Sequence, residues 1–169
     1  YESSGALDQA LFELREDVLI YTSDPLEADV EVTGEMIAEL YLSIDRPDTD
    51  LAVRVTDVHP DGTSYSLNGP EAGYLRLRYR DGFDHQVLVE PGEILKVRIG
   101  QMFTSNLFRR GHRIRVQITS SRAPHFDPNP HPGEEIATAT RLEPVTVTVH
   151  HDADNPSRIV LPIIPRDER

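Results

Sequence analysis

Cysteine is absent from the 169 residues. That excludes disulfides, a thiolate nucleophile and thiolate metal sites, and it leaves the redox compartment, and with it the localisation, open. Tryptophan is absent too, so the aromatic complement is 6 Tyr and 5 Phe. Sugar-binding sandwiches stack their ligands on exposed aromatic platforms, tryptophan above all, so its absence counts against that role. No run approaches the ~20 apolar residues that a membrane span requires. G-x-S-x-G, the Walker A loop, G-x-G-x-x-G and H-E-x-x-H are all missing, which removes the strand-to-helix serine elbow, the common phosphate cradles and the helical zinc pair.

What is present is acidic. Asp and Glu number 29 against 17 Lys and Arg, for a formal net charge of −12 with His neutral, and Lys96 is the one lysine. Such a chain repels nucleic acid and anionic lipid, so neither nucleic acid nor a membrane is expected as a partner. The length suits one domain, which buries roughly 70% of its unfolded surface and needs no metal or disulfide staple. Tyr1 is followed by no basic n-region and no apolar h-region. With no initiating methionine, the chain reads as a fragment of something longer, without a signal peptide of its own.

The dominant period is two. Leu51, Val53 and Val55 alternate with Ala52, Arg54 and Thr56; Leu75, Leu77 and Tyr79 with Arg76, Arg78 and Arg80. The same alternation recurs over 95–99, 113–118 and 145–149. Each run has one oily row and one wet row, as in antiparallel strands buried on one face. Further strands are expected at 17–23, 28–33, 36–45 and 158–164, nine or ten in all. Pro60-Asp61-Gly62, Glu90-Pro91-Gly92 and Arg110-Gly111-His112 supply the turn chemistry between runs. The helical period is confined to residues 7–14, a connector helix or a lead-in loop. Residues 120–135 carry four prolines and form a long irregular loop of the kind that is usually functional or disordered. The fold class that follows is all-β, an antiparallel two-sheet sandwich, with irregular spacing and long crossovers favouring a jelly roll. Residues 1–16 read as a lead-in segment, 17–165 as the jelly-roll domain and 166–169 as a charged tail.

Several groups are candidates for chemistry. His125, Asp127 and His131 share the long loop and offer metal-ligand types, but a polar loop of turn-formers is the favoured reading. Asp48 and Asp50, two apart, suit calcium or, more readily, an Asp-stabilised turn. His150 and His151 are adjacent and point to opposite faces of a strand, so they cannot share a metal. His112 follows the turn glycine Gly111, and a structural bond to nearby backbone is favoured; His59 and His85 read as loop residues. No metal and no cofactor is expected. In the run 36–44 the even positions form the oily row, and Tyr41 sits on the other with Ile37. An aromatic on the outer face implies that something covers it, or that it packs across strands. Phe126, a large apolar group amid turn residues, either plugs its own loop or docks on a partner.

Taken together, certain phrases carry a resemblance. They are Asp17-Val18-Leu19-Ile20-Tyr21-Thr22, Val30-Glu31-Val32-Thr33-Gly34, Asp57-Val58-His59-Pro60-Asp61-Gly62, Gly111-His112-Arg113-Ile114-Arg115 and Ile159-Val160-Leu161-Pro162-Ile163-Ile164. In this order the series resembles the C-terminal domain of the X-Pro dipeptidyl-peptidase and cocaine esterase family of serine hydrolases, from about Asp8 to Pro165. The resemblance implies a non-catalytic jelly roll of galactose-binding-like topology. Its partner would be an upstream α/β-hydrolase domain of the same parent chain, of acylase, esterase or dipeptidyl-peptidase type. In that family the Ser-His-Asp triad lies wholly in the hydrolase part, so no catalytic residue is carried onto this chain. The domain would complete the substrate pocket and hold domain or oligomer contacts, with Tyr41 and Phe126 as the contact candidates. A homo-oligomer is possible on the same ground. Arg122-Ala123-Pro124-His125-Phe126 departs from the wording usual in that loop. The alternative function is an autonomous carbohydrate-binding module, and a weaker one is an assembly module.

Overall fold

The computed structural model describes residues 6–165; the tail expected at 166–169 and the first five residues of the lead-in lie outside them. Ten strands form two five-stranded antiparallel sheets, the sandwich that the alternation predicts. The first sheet holds β1 (Val18–Thr22), β3 (Asp50–Val58), β4 (Ser64–Ser66), β5 (Tyr74–Arg76) and β7 (Arg113–Thr119). The second holds β2 (Val30–Ile44), β6 (Leu95–Phe108), β8 (Val147–His150), β9 (Arg158–Val160) and β10 (Ile163–Ile164). The chain changes sheet after β1, β2, β5, β6 and β7, the crossover habit of a jelly roll.

Each sheet is built around one long strand with a divided neighbour. β2 pairs with β6 along one edge, while its other edge is shared in turn by β10 at Glu31–Val32, β9 at Ile37–Glu39 and β8 at Tyr41–Ile44. β3 pairs with β7 on one side, and with β5 and then β4 on the other. The two expected strands at 28–33 and 36–45 are thus one. Gly34 does not end the strand: its φ of +134° lets the backbone run on, and a Cβ there would stand 3.2 Å from the Pro162 ring. The core is the oily row of each run. Val32, Met36, Leu40, Leu42 and Ile44 of β2 meet Leu51, Val53 and Val55 of β3, with Val97, Ile99, Met102 and Phe108 of β6. Each fully buried side chain of this kind contributes about 1.5–3 kcal/mol relative to exposure.

Three local departures from strict alternation matter. Opposite Met36 and Ala38 the register shifts from Met102 to Ile99, so β6 carries an extra residue at the bulge, where Gln101 has a φ of +62°. The parity of β6 therefore flips, and Phe103 is turned outward, 65% exposed. β3 is buried on both faces rather than one. On its outer row Arg54 lies over the Phe12 ring and Asp50 meets Asn129, while residues 7–13 are tied to the neighbouring β4 by Ser66 N–H to Leu7 O (3.0 Å) and Gln9 N–H to Ser64 O (2.8 Å). Glu13, in the single helical turn Ala10–Glu13, accepts from Gln117 Nε2 at 2.7 Å and pairs with Arg115. The lead-in is thereby tied to the sheet. Finally, the Arg-rich run does not stay a strand. β5 stops at Arg76, and Leu77–Tyr79 form a 3-10 turn that buries both Leu77 and Arg78. Arg78 turns inward to meet Asp48, its Nε 2.6 Å from Asp48 Oδ2.

Candidate functional site

Asp48 and Asp50 stand at the start of β3, and both are buried. Neither serves a local turn or waits for calcium. Asp48 Oδ2 accepts from Arg78 Nε at 2.6 Å and Oδ1 from the Arg78 backbone N–H at 2.9 Å. Asp50 takes a two-pronged bond from Arg76, at 2.8 and 3.0 Å, and the Tyr74 hydroxyl. Two carboxylates thus meet two guanidinium groups, so the buried charges cancel and no cation is called for. Burial, and then the Asp50 charge, push the Tyr74 hydroxyl well above its ordinary pKa; Asp50 raises that of Arg76.

This ionic block pins the long loop. Asn129 Nδ2 donates to Asp48 Oδ2 (2.7 Å) and Asp50 Oδ1 (3.0 Å), Arg76 reaches Asp127 O (2.9 Å), and Arg78 reaches Glu134 O (3.0 Å). Phe126 lies flat on Tyr74, ring centroids 3.8 Å apart and planes 4° from parallel. The contact fastens the loop to β5. His131 is held by Glu143 O. His125, Asp127 and His131 are not brought together as ligands. Among the described residues the one His/Asp/Glu group of three with ligand atoms within 4.8 Å of one another is Asp57, His59 and His112.

Tyr41 takes the outer face of the second sheet, as strand parity requires. It is half-buried, with Lys96 Nζ 5.6 Å from its ring centroid. Around it the face is laced with ion pairs, Arg158–Glu39 at 2.6 Å and Arg98–Glu35 at 4.0 Å. Its backbone N–H bonds Ser157 Oγ at 2.8 Å, linking it to the rim of a cleft on the other side of the strand.

That cleft was not legible in the sequence. Between β1 and β7 of one sheet and β8 and β9 of the other the sandwich is unsealed, leaving a cavity of about 340 Å³. Its walls are Leu40, Val116, Ile118, Val149 and Ile159, and Tyr21 closes on His151 across the mouth at 6.0 Å between centroids. A second opening of about 260 Å³, sharing Ile118 with the first, continues along Leu19 and Val145. β1 is an edge strand whose Leu19, Ile20 and Tyr21 are all exposed. The edge strand thus carries exposed apolar side chains on both rows, beside an open apolar cleft.

Among the described residues no triad is assembled. Ser43 Oγ lies 2.9 Å from His150 Nε2, the separation of a nucleophile–base pair. However, among the described residues no carboxylate bonds the far side of that ring to orient it, and no serine elbow is present.

The family of X-Pro dipeptidyl-peptidase C-terminal non-catalytic domains matches residues 3–160. A cocaine esterase of Rhodococcus sp. (strain MB1 Bresler) is 41% identical over 165 residues, covering 96% of this chain and 28% of the esterase. An aminopeptidase from a marine-sediment Thaumarchaeota archaeon superposes with a TM-score of 0.89 at 31% identity, over 95% of this chain and 28% of that one. An α-amino acid ester hydrolase gives a TM-score of 0.88 at 27% identity, over 94% of this chain and 27% of its own. The chain thus spans little more than a quarter of these relatives.

Proposed function

Since the chain belongs to the family of X-Pro dipeptidyl-peptidase C-terminal non-catalytic domains, we propose that it serves a parent serine hydrolase by shape alone. It completes the wall of a substrate pocket whose nucleophile lies on an upstream α/β-hydrolase domain. The parent acts on esters, amides or X-Pro peptides. In this division residues 1–16 lead in from the hydrolase, 17–165 form the sandwich and 166–169 are a tail.

The observation that carries the reading is the open apolar cleft beside β1. An isolated domain gains nothing by leaving Leu19, Ile20 and Tyr21 in water, whereas an interface between domains of one chain, typically on the order of 600–1,500 Å², uses such a surface. The docking edge is therefore β1 with the cleft rim, and Tyr41 contributes through the strand that backs the cleft. Phe126 acts one step removed: by locking its loop on Tyr74 it presents a fixed rim. The same edge is the one through which oligomer contacts would run.

The test compares the 169-residue chain with a longer protein carrying the upstream domain. Against p-nitrophenyl acetate and Ala-Pro-p-nitroanilide the short chain is inert and the long one turns over. Hydrogen exchange at β1 slows in the long protein. Turnover by the short chain that a serine-directed inhibitor abolishes would overturn the reading, as would unchanged exchange at β1.

A further inference from the structure

β3 ends by delivering Asp57 on its inward row, in phase with Leu51, Val53 and Val55 but beyond the last of them. The carboxylate is thus drawn into the end of the sandwich, its side chain 6% exposed. His59 follows two residues on. Its backbone is fixed by the Pro60-Asp61-Gly62 turn, with His59 N–H to Thr63 O at 2.8 Å and Gly62 N–H to His59 O at 2.9 Å. His112 arrives from the turn between β6 and β7, its backbone held by Arg109 O at 2.9 Å and by Leu26 N–H at 2.8 Å. Two separately anchored segments, the end of β3 with its turn and the β6–β7 turn, therefore converge on one point.

At that point His112 Nδ1 stands 2.8 Å from Asp57 Oδ1 and His59 Nε2 4.0 Å from Asp57 Oδ2. The two imidazole rings are 4.3 Å apart between centroids. An Asp–His hydrogen bond alone would satisfy Asp57 and His112. It does not involve the second imidazole, His59, which an edge contact with Tyr65 at 5.0 Å between centroids holds beside the same carboxylate. We propose that Asp57, His59 and His112 form a binding site for a divalent transition-metal ion of the zinc class.

Ligands of a tetrahedral ion at Zn–N and Zn–O distances near 2.0–2.1 Å stand about 3.3 Å from one another. His112 Nδ1 stands 2.8 Å from Oδ1 and His59 Nε2 4.0 Å from Oδ2, and one ligand atom from each residue lies within 4.8 Å of the other two, so closing on an ion requires a small movement, available to His59 as the most exposed of the three. Two imidazole nitrogens and one carboxylate oxygen select zinc, cobalt, nickel or copper over calcium and magnesium, which want oxygen alone. Asn106 Nδ2 donates to Asp57 Oδ2 at 3.2 Å and orients the carboxylate as outer-shell partners of metal ligands do. The solvent side of His59 leaves room for water to complete the coordination. An ion here would clamp the β6–β7 turn to the end of β3.

Calorimetric titration of the chelator-stripped 169-residue chain with zinc chloride tests this. The expected result is one ion per chain with micromolar affinity. Cobalt in place of zinc gives the visible bands of a four-coordinate site and broadens the His59 and His112 ring resonances selectively. His59→Ala, a partly exposed position whose loss leaves the core intact, weakens binding by about tenfold or more. His151→Ala binds as the wild type does. Absence of saturable binding, binding undiminished in His59→Ala, or displacement of zinc by excess calcium would each overturn the assignment.

Discussion

Arg78 Nε lies 2.6 Å from Asp48 Oδ2, and neither side chain has any exposure to solvent. Removing one partner strands the other charge inside the protein. Arg78→Met is expected to cost about 3–5 kcal/mol, and Asp48→Leu combined with Arg78→Met much less than the sum of the two single changes. Urea unfolding of the three variants measures it. Strict additivity would mean that the pair is not coupled.

Phe126 rests on Tyr74, so its truncation loosens the loop rather than the sandwich. Phe126→Ala should lower stability by roughly 1–3 kcal/mol and speed proteolytic cleavage within residues 120–135, with Phe126→Leu intermediate. Cleavage rates equal to those of the wild type would show that Asn129 and the arginines hold the loop unaided.

Acid should weaken the fold in a defined direction. Arg15 beside Asp17, and the Thr146 N–H beside Asp45, hold these carboxyls below the usual range. The Asn155 N–H does the same for Asp152. A lowered folded-state pKa means that the unfolded chain takes up protons first. Stability from these groups is complete above about pH 4 and is lost as pH falls through the folded values. The urea midpoint therefore holds down to about pH 4 and falls as the pH is lowered further, and Asp45→Asn makes the decline shallower. A midpoint that rises on acidification contradicts the assignment.

Tyr21 sits at the mouth of the cleft on an edge strand. Tyr21→Arg should change the stability of the 169-residue chain by no more than about 0.5 kcal/mol, as for other exposed positions. In a protein that also carries the hydrolase domain the same change should lower the thermal midpoint and raise KM. An equal effect in both proteins would locate the role of Tyr21 within the sandwich.

Much of the fold was legible because a period of two is a direct image of a half-buried strand. The run 113–118 and the even row of 36–44 fall inside β7 and β2, and the run 145–149 overlaps β8, which starts at Val147. What the sequence hid has two physical sources. A bulge erases alternation without a distinctive residue, so Gly100-Gln101 gave no warning that Phe103 would turn outward. Long-range partners leave no local signal either. Asp48 and Asp50 looked like turn or calcium residues because Arg76, Arg78 and Asn129 are distant along the chain. His112 and Asp57, separated by 55 positions, meet only once β7 lies against β3. The cleft beside β1 is likewise a property of two sheets failing to close, which no single strand encodes. Tyr41 was placed by parity alone and sits where parity put it.

The divided edge of β2 has a consequence for synthesis. Val30–Ile44 leave the ribosome before the three short strands that pair with them on that side. Until then a growing polypeptide displays a long row of unsatisfied amides and carbonyls, open to pairing with a neighbouring nascent chain. A premature stop codon just before Val147 would make that interval permanent, and the product should be recovered in inclusion bodies rather than as a merely weakened domain.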